Sequence, residues 1–562
     1  MHIKTKKVKG HEYLSIVQSY RENGKVKHRT IFNLGRADLL VNSGLKNIVK
    51  GLQRYLETEE ENSYKKDIRT IKERQRFNYG YLVYRALWKK FQLDHILKNL
   101  LKDRQKIEFD FPEVVFAMVI NRLFNPSSKL QNYLSYQRFI GLAQDLQLHH
   151  FYRSLDILAE NKEQIEKEIF NRYRNLFNLK LDVVFYDVTT YYFESQRSDE
   201  LKEFGFSKDN KVNEVQVVMG LLIDKEGRPI GYELFPGDTF EGKTLLNILD
   251  KLRNHFKIDK VIIVADRGLN SKLNLKEIKD RGFDYIISAR IKKMTSQIQK
   301  AILDESGYVD LKENSDNSED GSVYRYKVID YVNRVSYKED GKTVYVDLPE
   351  HLICTYSSAR AIKDKRDRER AVEKAKELLK KNDKSAYKRK QGYKRYIKET
   401  QAEKDYKLVL DEEKIEKESR FDGYYAIHCS DKQMNVREVI YNYHHLYKIE
   451  ESFRVLKSTM QARPIYVWKK SHIAGHFMMC FLAFLLEREL EYLLKRREIN
   501  FTTEKIKEAL NSFELSEIEI EGQSYYLRSN YKVLGAKIFS LLKLRQLPNI
   551  ICKEKISSYL TV

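Results

Sequence analysis

The sequence has few cysteines, prolines and tryptophans, and it has no long apolar run. Among its 562 residues there are 4 Cys, 7 Pro and 2 Trp. The cysteines are far apart and form no CxxC pair, which argues against a zinc site or a disulfide framework and fits a reducing compartment. The most apolar segment, residues 477–486, is shorter than the ~20 residues that span a membrane. We therefore expect no membrane association and predict a buried core helix there.

Acidic residues are outnumbered by basic ones. Lys plus Arg number 103 and Asp plus Glu number 81, which gives a formal net charge of +22. An excess of this size favours a polyanionic partner, with nucleic acid ahead of a membrane surface. The alternative is a basic surface that is simply solvated. The length of the chain predicts several domains.

The first 178 residues divide into two regions by their patterns. Residues 1–40 contain two alternating runs joined by Asn23-Gly24, which predicts a basic β-hairpin that either contacts DNA or is only a small structural module. Residues 41–178 predict a helical DNA-binding domain. After the break at residues 125–128, a second helix with four exposed polar side chains would suit a DNA groove; these are Lys129, Gln131, Asn132 and Arg138. The alternative is an ordinary helical domain.

Two apolar strands in residues 179–290 end in an aspartate. Residues 181–194 (LDVVFYDVTTYYFE) contain Asp187, and residues 260–268 (KVIIVADRG) contain Asp266. Three meandering strands, a helix, a strand, a helix and a strand follow one another in this region. That order predicts the first part of an α/β catalytic core of the RNase H-like type, with a mixed five-stranded sheet and helices. The strands of Asp187 and Asp266 should be neighbours in it.

The rest of the chain predicts an interruption, a return to the core and a tail. Residues 291–420 shift to strand-like pieces and a long charged helix, which predicts a β-rich and helical insertion domain. Residues 421–490 predict the second part of the core, with a helix over residues 443–457 that carries Glu450 and Glu451. Residues 491–562 predict a helical C-terminal element.

Two strand-end aspartates and one helix-borne glutamate form a set suited to divalent metal. Phosphodiester cleavage needs an in-line nucleophile and charge relief on the leaving oxygen, and two Mg²⁺ or Mn²⁺ ions can provide both. Asp187 would bridge both ions, Asp266 would hold one and Glu450 the other. Each residue alone has an ordinary alternative, because a strand-end Asp often caps a turn and a helix Glu often faces solvent.

These motifs resemble those of DDE transposases of bacterial insertion sequences, in the branch with a β-rich insertion before the glutamate. DVTTYYFE and VADRG resemble the strands of its first and second aspartates. The helix resembles the family signature Y-x2-R-x3-E-x6-K, with Tyr443, Glu450 and Lys457 at three of its positions. Leu446 stands at the arginine position, and Arg454 is considered as its substitute. Glu451 is the rival of Glu450, but the spacing to Lys457 favours Glu450.

The resemblance implies a metal-dependent enzyme that cleaves and joins DNA. It implies a homodimer on the terminal inverted repeats of a mobile element, acting also on target DNA, in the bacterial cytoplasm at the nucleoid. Tyr443, Arg454 and Lys457 would contact DNA. Some members stack a flipped base on a tryptophan of the insertion; Trp88 and Trp468 both lie outside it, so Tyr393 or Tyr396 is the alternative. Other readings are an RNase H-fold nuclease or resolvase without strand transfer, and a domesticated DNA-binding protein.

Overall fold

The structure is a computed structural model of the 562-residue chain. It describes residues 2–22, 25–39, 73–102, 107–143, 145–177, 181–194, 197–205, 213–311, 323–339, 341–381, 392–402, 405–520 and 523–561. The predicted turn at Asn23-Gly24 and residues 41–72 of the predicted helical domain lie outside these ranges.

Strands and helices alternate along the chain. The strands are β1 (His2–Val8), β2 (His11–Glu22), β3 (Lys25–Arg36), β4 (Glu73–Asn78), β5 (Val183–Tyr192), β6 (Gln216–Asp224), β7 (Pro229–Pro236), β8 (Ile262–Ala265), β9 (Asp284–Ser288), β10 (Val309–Asp310), β11 (Tyr324–Glu339), β12 (Lys342–Ser357), β13 (Ile397–Ala402), β14 (Asp405–Leu410), β15 (Tyr424–Cys429), β16 (Glu514–Ile520), β17 (Gln523–Arg528) and β18 (Ile550–Cys552).

The helices are α1 (Leu82–Lys90), α2 (Leu93–Asn99), α3 (Phe111–Phe124), α4 (Lys129–Ser135), α5 (Leu148–Glu160), α6 (Lys162–Phe177), α7 (Glu241–Asp250), α8 (Lys272–Asp280), α9 (Ser296–Leu303), α10 (Ser358–Lys381), α11 (Glu412–Ser419), α12 (Val436–His444), α13 (Tyr447–Arg454), α14 (Lys470–Lys495), α15 (Thr503–Asn511) and α16 (Val533–Leu541). Two π-helical turns, Lys251–His255 and Val455–Thr459, extend α7 and α13.

A nine-stranded mixed sheet lies at the centre, in the order β10-β11-β12-β15-β9-β8-β5-β6-β7. β5, β6 and β7 form an antiparallel meander. β8 pairs parallel with β5, and β9 pairs parallel with β8. The predicted order of elements in residues 179–290 is confirmed, and so is the adjacency of the two aspartate-bearing strands.

The predicted five-stranded sheet is wrong in its size. β15 pairs antiparallel with β9, and β12 pairs with β15, so strands of the predicted insertion continue the sheet of the core. A buried triad ties these three strands together: Tyr285 donates to Glu350 at 2.5 Å, and Glu350 lies 2.6 Å from Nδ1 of His428. The change in composition indicates where the insertion begins, but no local sequence pattern indicates that its strands pair with distant strands of the core.

Alternation along β5 divides its side chains between two cores. Val183, Phe185 and Tyr191 pack in the larger core, which includes residues of α13 and α14. Val184 and Tyr186 pack in a second core with α7 and α8. Because side chains alternate between faces along a strand, odd-numbered positions of β5 face α13 and α14. Asp187 is at an odd position, so it lies on that face.

The N-terminal region differs from the prediction in two ways. β1 joins β2 and β3, so the predicted two-stranded hairpin is a three-stranded antiparallel sheet. In the predicted helix pair of α3 and α4, Lys129 is only 3% exposed and Asn132 is 0% exposed, so neither side chain faces a groove. Asn132 accepts a hydrogen bond from Ser127, and Lys129 extends toward Met479, because α4 packs on the core.

The predicted helical tail is wrong, because residues 491–562 contain three strands. β18, β17, β16 and β4 form a four-stranded sheet that joins the C-terminal region to residues 73–78. These C-terminal strands are short and lie close to helices in the sequence, so the helical pattern of the region dominated the prediction. The segment ELSEIEI of β16 nevertheless alternates with the period of a strand.

The predicted core helix over residues 477–486 is confirmed as part of α14. This helix packs against α3 and α5, and a Cβ added at Gly475 would lie 2.1 Å from the carbonyl oxygen of Leu155. Glycine at this position therefore allows α14 and α5 to approach closely. Of the helices that the structure describes, none has the length and apolar character needed to cross a membrane.

Candidate active site

Two acidic side chains lie next to each other on one face of the central sheet. Tyr186 of β5 is in register with Ala265 of β8, so Asp187 and Asp266 occupy the next matched positions. Parallel strands lie ~4.8 Å apart, which brings the two carboxylates within reach of one ligand. Asp187 is half-buried and Asp266 is exposed. Asp266 directly follows β8, as predicted, whereas Asp187 lies inside β5, one position beyond the parallel ladder with β8. The prediction that Asp187 ends its strand is therefore wrong, because β5 continues to Tyr192 in its pairing with β6.

A row of hydroxyl groups continues from the aspartates. Ala265 is in register with Ile287 of β9, so Ser288 follows Asp266 across the sheet. The hydroxyl of Tyr425 on β15 bonds both Ser288 and the hydroxyl of Tyr443. Burial raises the pKa of Tyr443, and the neighbouring Tyr425 and the negative charge of Asp266 raise it further. Tyr443 therefore lies close to Asp266 and keeps its proton at neutral pH.

The predicted single helix over residues 443–457 is wrong. α12 ends at His444 and α13 begins at Tyr447, with the Leu446 amide donating to the Tyr443 carbonyl at 3.1 Å and the Lys448 amide to the His445 carbonyl at 3.0 Å. Leu446 is 9% exposed and packs in the larger core with residues of α13. The signature therefore spans two helices and a π-helical turn, because a buried leucine lies at the break.

Glu450 and Glu451 face different surroundings. Ile449 and Phe453 of α13 are buried, and Glu450, which lies between them in the sequence, is exposed. Glu451 lies 3.8 Å from Arg454 and 4.0 Å from Arg488 of α14. Glu451 already has cationic partners, which sets it apart from Glu450.

Arg454 and Glu451 line a cavity of about 510 Å³ between α13, α14 and α15. Its wall also includes Tyr447, Arg488 and Lys505. Neither Tyr443 nor Glu450 is among the described residues that line this cavity. Arg454 therefore belongs to a different surface from the tyrosine of the signature.

Lys457 lies farther along β5 than the aspartates. Its ammonium is 5.4 Å from the ring centroid of Tyr191, and the guanidinium of Arg463 is 5.1 Å from that of Tyr192. Arg122 supports the turn between Lys457 and Arg463, because its guanidinium donates to the carbonyls of Met460 at 3.3 Å and Gln461 at 2.9 Å. Lys457 and Arg463 thus flank the end of the strand that carries Asp187.

The third carboxylate does not meet the first two. Within the described parts of the chain, no three His, Cys, Asp or Glu side chains stand close enough together to hold a metal ion. Asp187 and Asp266 are in register, whereas Glu450 is on a separate helix. The donor chemistry still fits a hard divalent cation, since such ions are bound by carboxylate oxygens and keep several waters.

Several residues of this site were missed in the sequence. Ser288 and Tyr425 carry no motif, and only the pairing of their strands places them near Asp266. A signal for Ser288 existed, because it ends the strand next to β8. The predicted stacking residues fare differently: Tyr396 is 0% exposed and donates to Glu418 at 3.0 Å, so its ring is closed to a base, and Tyr393 packs beside it.

These features define a class of protein: a mixed α/β enzyme with acidic side chains side by side on neighbouring parallel strands, where the parallel ladder between them ends. The family described as "Transposase DDE domain" matches residues 178–486, more than half of the chain. The family described as "IS1634 family transposase, N-terminal domain" matches residues 1–63. The chain therefore belongs to the DDE transposases of insertion sequences.

Membership of this family confirms the resemblance and the activity inferred from it. The protein is a transposase that binds DNA, with strand cleavage and strand transfer as its general activity. Transposases with this domain use divalent metal ions. A solved structure that is similar is the "piggyBac transposase synaptic complex with hairpin DNA". It is 9% identical, covers 78% of this chain and 83% of its own, and has a TM-score of 0.32. The sequence matches none of the curated proteins.

Proposed function

We propose that Asp187, Asp266 and Glu450 hold the divalent metal with which this transposase cleaves and transfers DNA. The observation that carries the proposal is the register of β5 and β8, which sets the two aspartates side by side on one face of the sheet. Glu450 is the exposed acid on the helix that packs over the same face. It completes the set when metal and DNA neutralise the repulsion among three carboxylates.

The metal is Mg²⁺ or Mn²⁺, and two ions are bound. When bound, they relieve charge on the scissile phosphate and lower the pKa of a water nucleophile. The chain's own residues orient the DNA: Tyr443 keeps its hydroxyl beside Asp266, and Lys457 offers a cation at the end of β5. Arg454 contacts DNA on the surface next to α13.

The surrounding architecture supports this assignment. The strand order β7-β6-β5-β8-β9, with β5, β8 and β9 parallel, fits a core of the RNase H-like type. Its parts are residues 179–290 and 421–490, separated by the insertion at 291–420. Residues 1–40 and residues 41–178 bind DNA, and residues 491–562 form a C-terminal element. The basic three-stranded sheet at the N-terminus and the net charge of +22 support a DNA-binding surface.

The DNA partners are the terminal inverted repeats of the element and the target site. Two copies of the chain bind the two repeats, so that both ends are cut within one homodimer. The enzyme acts on nucleoid DNA in the bacterial cytoplasm.

The test is a reaction of the purified full chain with DNA that carries one element end. Mg²⁺ or Mn²⁺ should give nicks at the end and products joined to a target duplex, whereas Ca²⁺ should support binding without cleavage. Asp187→Ala protein is the control for contaminating nucleases. Full cleavage in the presence of chelator would contradict the metal assignment. Nicks without joined products would mean that the enzyme is a nuclease without strand transfer.

A further inference from the structure

The signature of this chain lacks its arginine, and the residue at that position packs in the apolar core. Leu446 stands there, 9% exposed, in the larger core with Ile449 and Phe453. An arginine at this point would place a charged group among apolar side chains, which costs several kcal/mol unless it is paired. The contact that the arginine would make must therefore come from elsewhere or be absent.

The neighbouring cation on α13 is directed to another surface. Arg454 lies 3.8 Å from Glu451 and lines the cavity with Arg488 and Lys505. A hydrogen bond from Thr459 lowers the pKa of Glu504 on α15, and the positive charge of Arg454 lowers it further. Arg454 therefore has acidic partners on the side of α15, while Tyr443 bonds Tyr425 at the sheet.

A cation from the insertion lies over the ring of Tyr425, the hydrogen-bond partner of the signature tyrosine Tyr443. Arg360 lies in the first turn of α10, which begins directly after β12 ends at Ser357. Its guanidinium carbon is 5.1 Å from the ring centroid of Tyr425. The Tyr425 hydroxyl bonds both Tyr443 and Ser288. Burial raises the pKa of Tyr425, the negative charge of Asp266 raises it further, and the positive charge of Arg360 lowers it. Tyr425 thus has the cation and the carboxylate as neighbours.

We propose that Arg360, a residue of the insertion, is the DNA phosphate contact that replaces the missing signature arginine beside Asp266. Its side chain is 52% exposed, so it can meet a ligand. Its acidic neighbour is Asp364, at 3.5 Å, which also accepts a hydrogen bond from the Gly423 amide at 3.1 Å. Asp364 is thus held by the backbone when Arg360 turns toward DNA. The ring of Tyr425 supports the guanidinium from one side, as aromatic faces do for arginine.

The first test compares Arg360→Ala with Arg366→Ala in the nicking of element-end DNA. Arg366 is an exposed arginine on the same helix, so the two variants lose equal charge. Arg360→Ala should reduce the nicking rate about tenfold or more, the loss expected for one charge-assisted phosphate contact. Arg366→Ala should stay near the wild-type rate. Arg360→Lys should recover part of the rate, and Arg360→Gln should not.

The second test identifies the contact itself. Single phosphates around the cleavage position are replaced one at a time by neutral methylphosphonates, and each substrate is cut by wild type and by Arg360→Ala. One replacement should slow wild type about tenfold and have no further effect on the variant, because both changes remove the same contact. If the variant is slowed equally on every substrate, Arg360 only supports Tyr425 and the proposal is overturned. The same holds if Arg360→Ala cuts like wild type.

This inference rests on the proposed active site, and an Asp187→Ala arm separates the two. If Asp187→Ala is inactive and Arg360→Ala is fully active, the proposed active site is supported and the phosphate contact by Arg360 is contradicted. If Asp187→Ala retains nicking, the site itself is misplaced. Thermal unfolding of each variant checks that the fold is intact, which an exposed position such as Arg360 should preserve.

Discussion

The proposed site has a strand-borne half and a helix-borne half, and the two are built differently. Asp187 and Asp266 are fixed by the register of a parallel pair of strands in the middle of the sheet. Tyr443, Glu450 and Lys457 are spread over α12, α13 and a π-helical turn. Backbone ladders define positions on neighbouring strands, whereas a helix is placed only by what its side chains pack against. The aspartate pair is therefore preformed, and we expect Glu450 of the helix half to join it when metal and DNA bind.

The supports of the two halves differ as well. Behind the aspartates, Val184 and Tyr186 pack in an apolar core. Behind the turn that follows α13 lies a buried cation cluster of Arg122 and Lys129, with His476 and Cys480 as its titratable neighbours. The strand half should therefore keep its geometry over a wide pH range, and the support of the helix half should depend on pH.

The largest expected effect is in the strand half. Asp187→Ala or Asp266→Ala should reduce nicking by roughly 10³-fold or more, because metal-mediated stabilisation of the reacting phosphate is worth several kcal/mol. Binding to element-end DNA should persist or tighten, since a negative charge facing phosphate has been removed. Nicking and gel-shift assays on the same preparations measure both. Loss of binding together with nicking would mean that the aspartates support the fold or the DNA surface.

The helix half is tested by comparing two neighbouring glutamates. Glu450→Ala should reduce nicking by roughly 10²-fold or more, while Glu451→Ala should keep most activity because Glu451 faces Arg454 and Arg488. Activity in Glu450→Ala with an inactive Glu451→Ala would move the assignment by one residue. If both variants cut DNA, the helix does not supply the third carboxylate.

The support of the helix half is tested through Lys129. Burial, with Arg122 nearby, lowers the pKa of Lys129 to about 7 in the folded protein, from 10.5 as the ordinary value. Between these values the unfolded chain binds more protons than the folded one, so stability should rise with pH. We expect a slope of up to about 1.4 kcal/mol per pH unit above pH 7, and this slope should be absent in Lys129→Met.

Denaturant unfolding at pH 7, 8 and 9 measures that slope. Lys98→Met is the matched control, because Lys98 is an exposed lysine on α2. Burial lowers the pKa of His476 and raises that of Cys480, and the charge of Lys129 lowers both, so the difference between wild type and Lys129→Met measures the titration of this cluster as a whole. Equal slopes for wild type and Lys129→Met would show that Lys129 titrates as an exposed lysine does.

The smallest effect is expected at the end of β5. Lys457→Ala should reduce the affinity for element-end DNA about fivefold to tenfold and lower the salt dependence of binding by about one counterion. The metal-holding residues stay in place, so the nicking rate at saturating DNA should change little. Binding isotherms at several salt concentrations check this. An unchanged salt slope would exclude a phosphate contact by Lys457.

The same contrast explains how far the sequence predicted the molecule. The strands that carry Asp187 and Asp266 were identified because apolar runs carry a local signal, and their adjacency followed from the element order. The predicted strand-end position is correct for Asp266 and wrong for Asp187, because β5 continues to Tyr192 through its antiparallel pairing with β6. The break at Leu446 was missed because the signature spacing looks helical when read alone. Ser288, Tyr425 and Arg360 join the site only through pairing of β9, β15 and β12, which depends on residues far apart in the chain. The three C-terminal strands were missed for the same reason.

The continuous nine-stranded sheet has a mechanical consequence for the reaction. The ribbon of β11 and β12 is connected to β9 by a ladder of hydrogen bonds through β15, and the buried triad at Glu350 clamps that ladder. We therefore expect any load on the ribbon to be transmitted through these paired strands. It arrives at β9, one strand away from Asp266. The insertion is thus joined to the catalytic sheet by strand pairing. Excising it would expose the edge of β15, and an exposed strand edge is prone to aggregation.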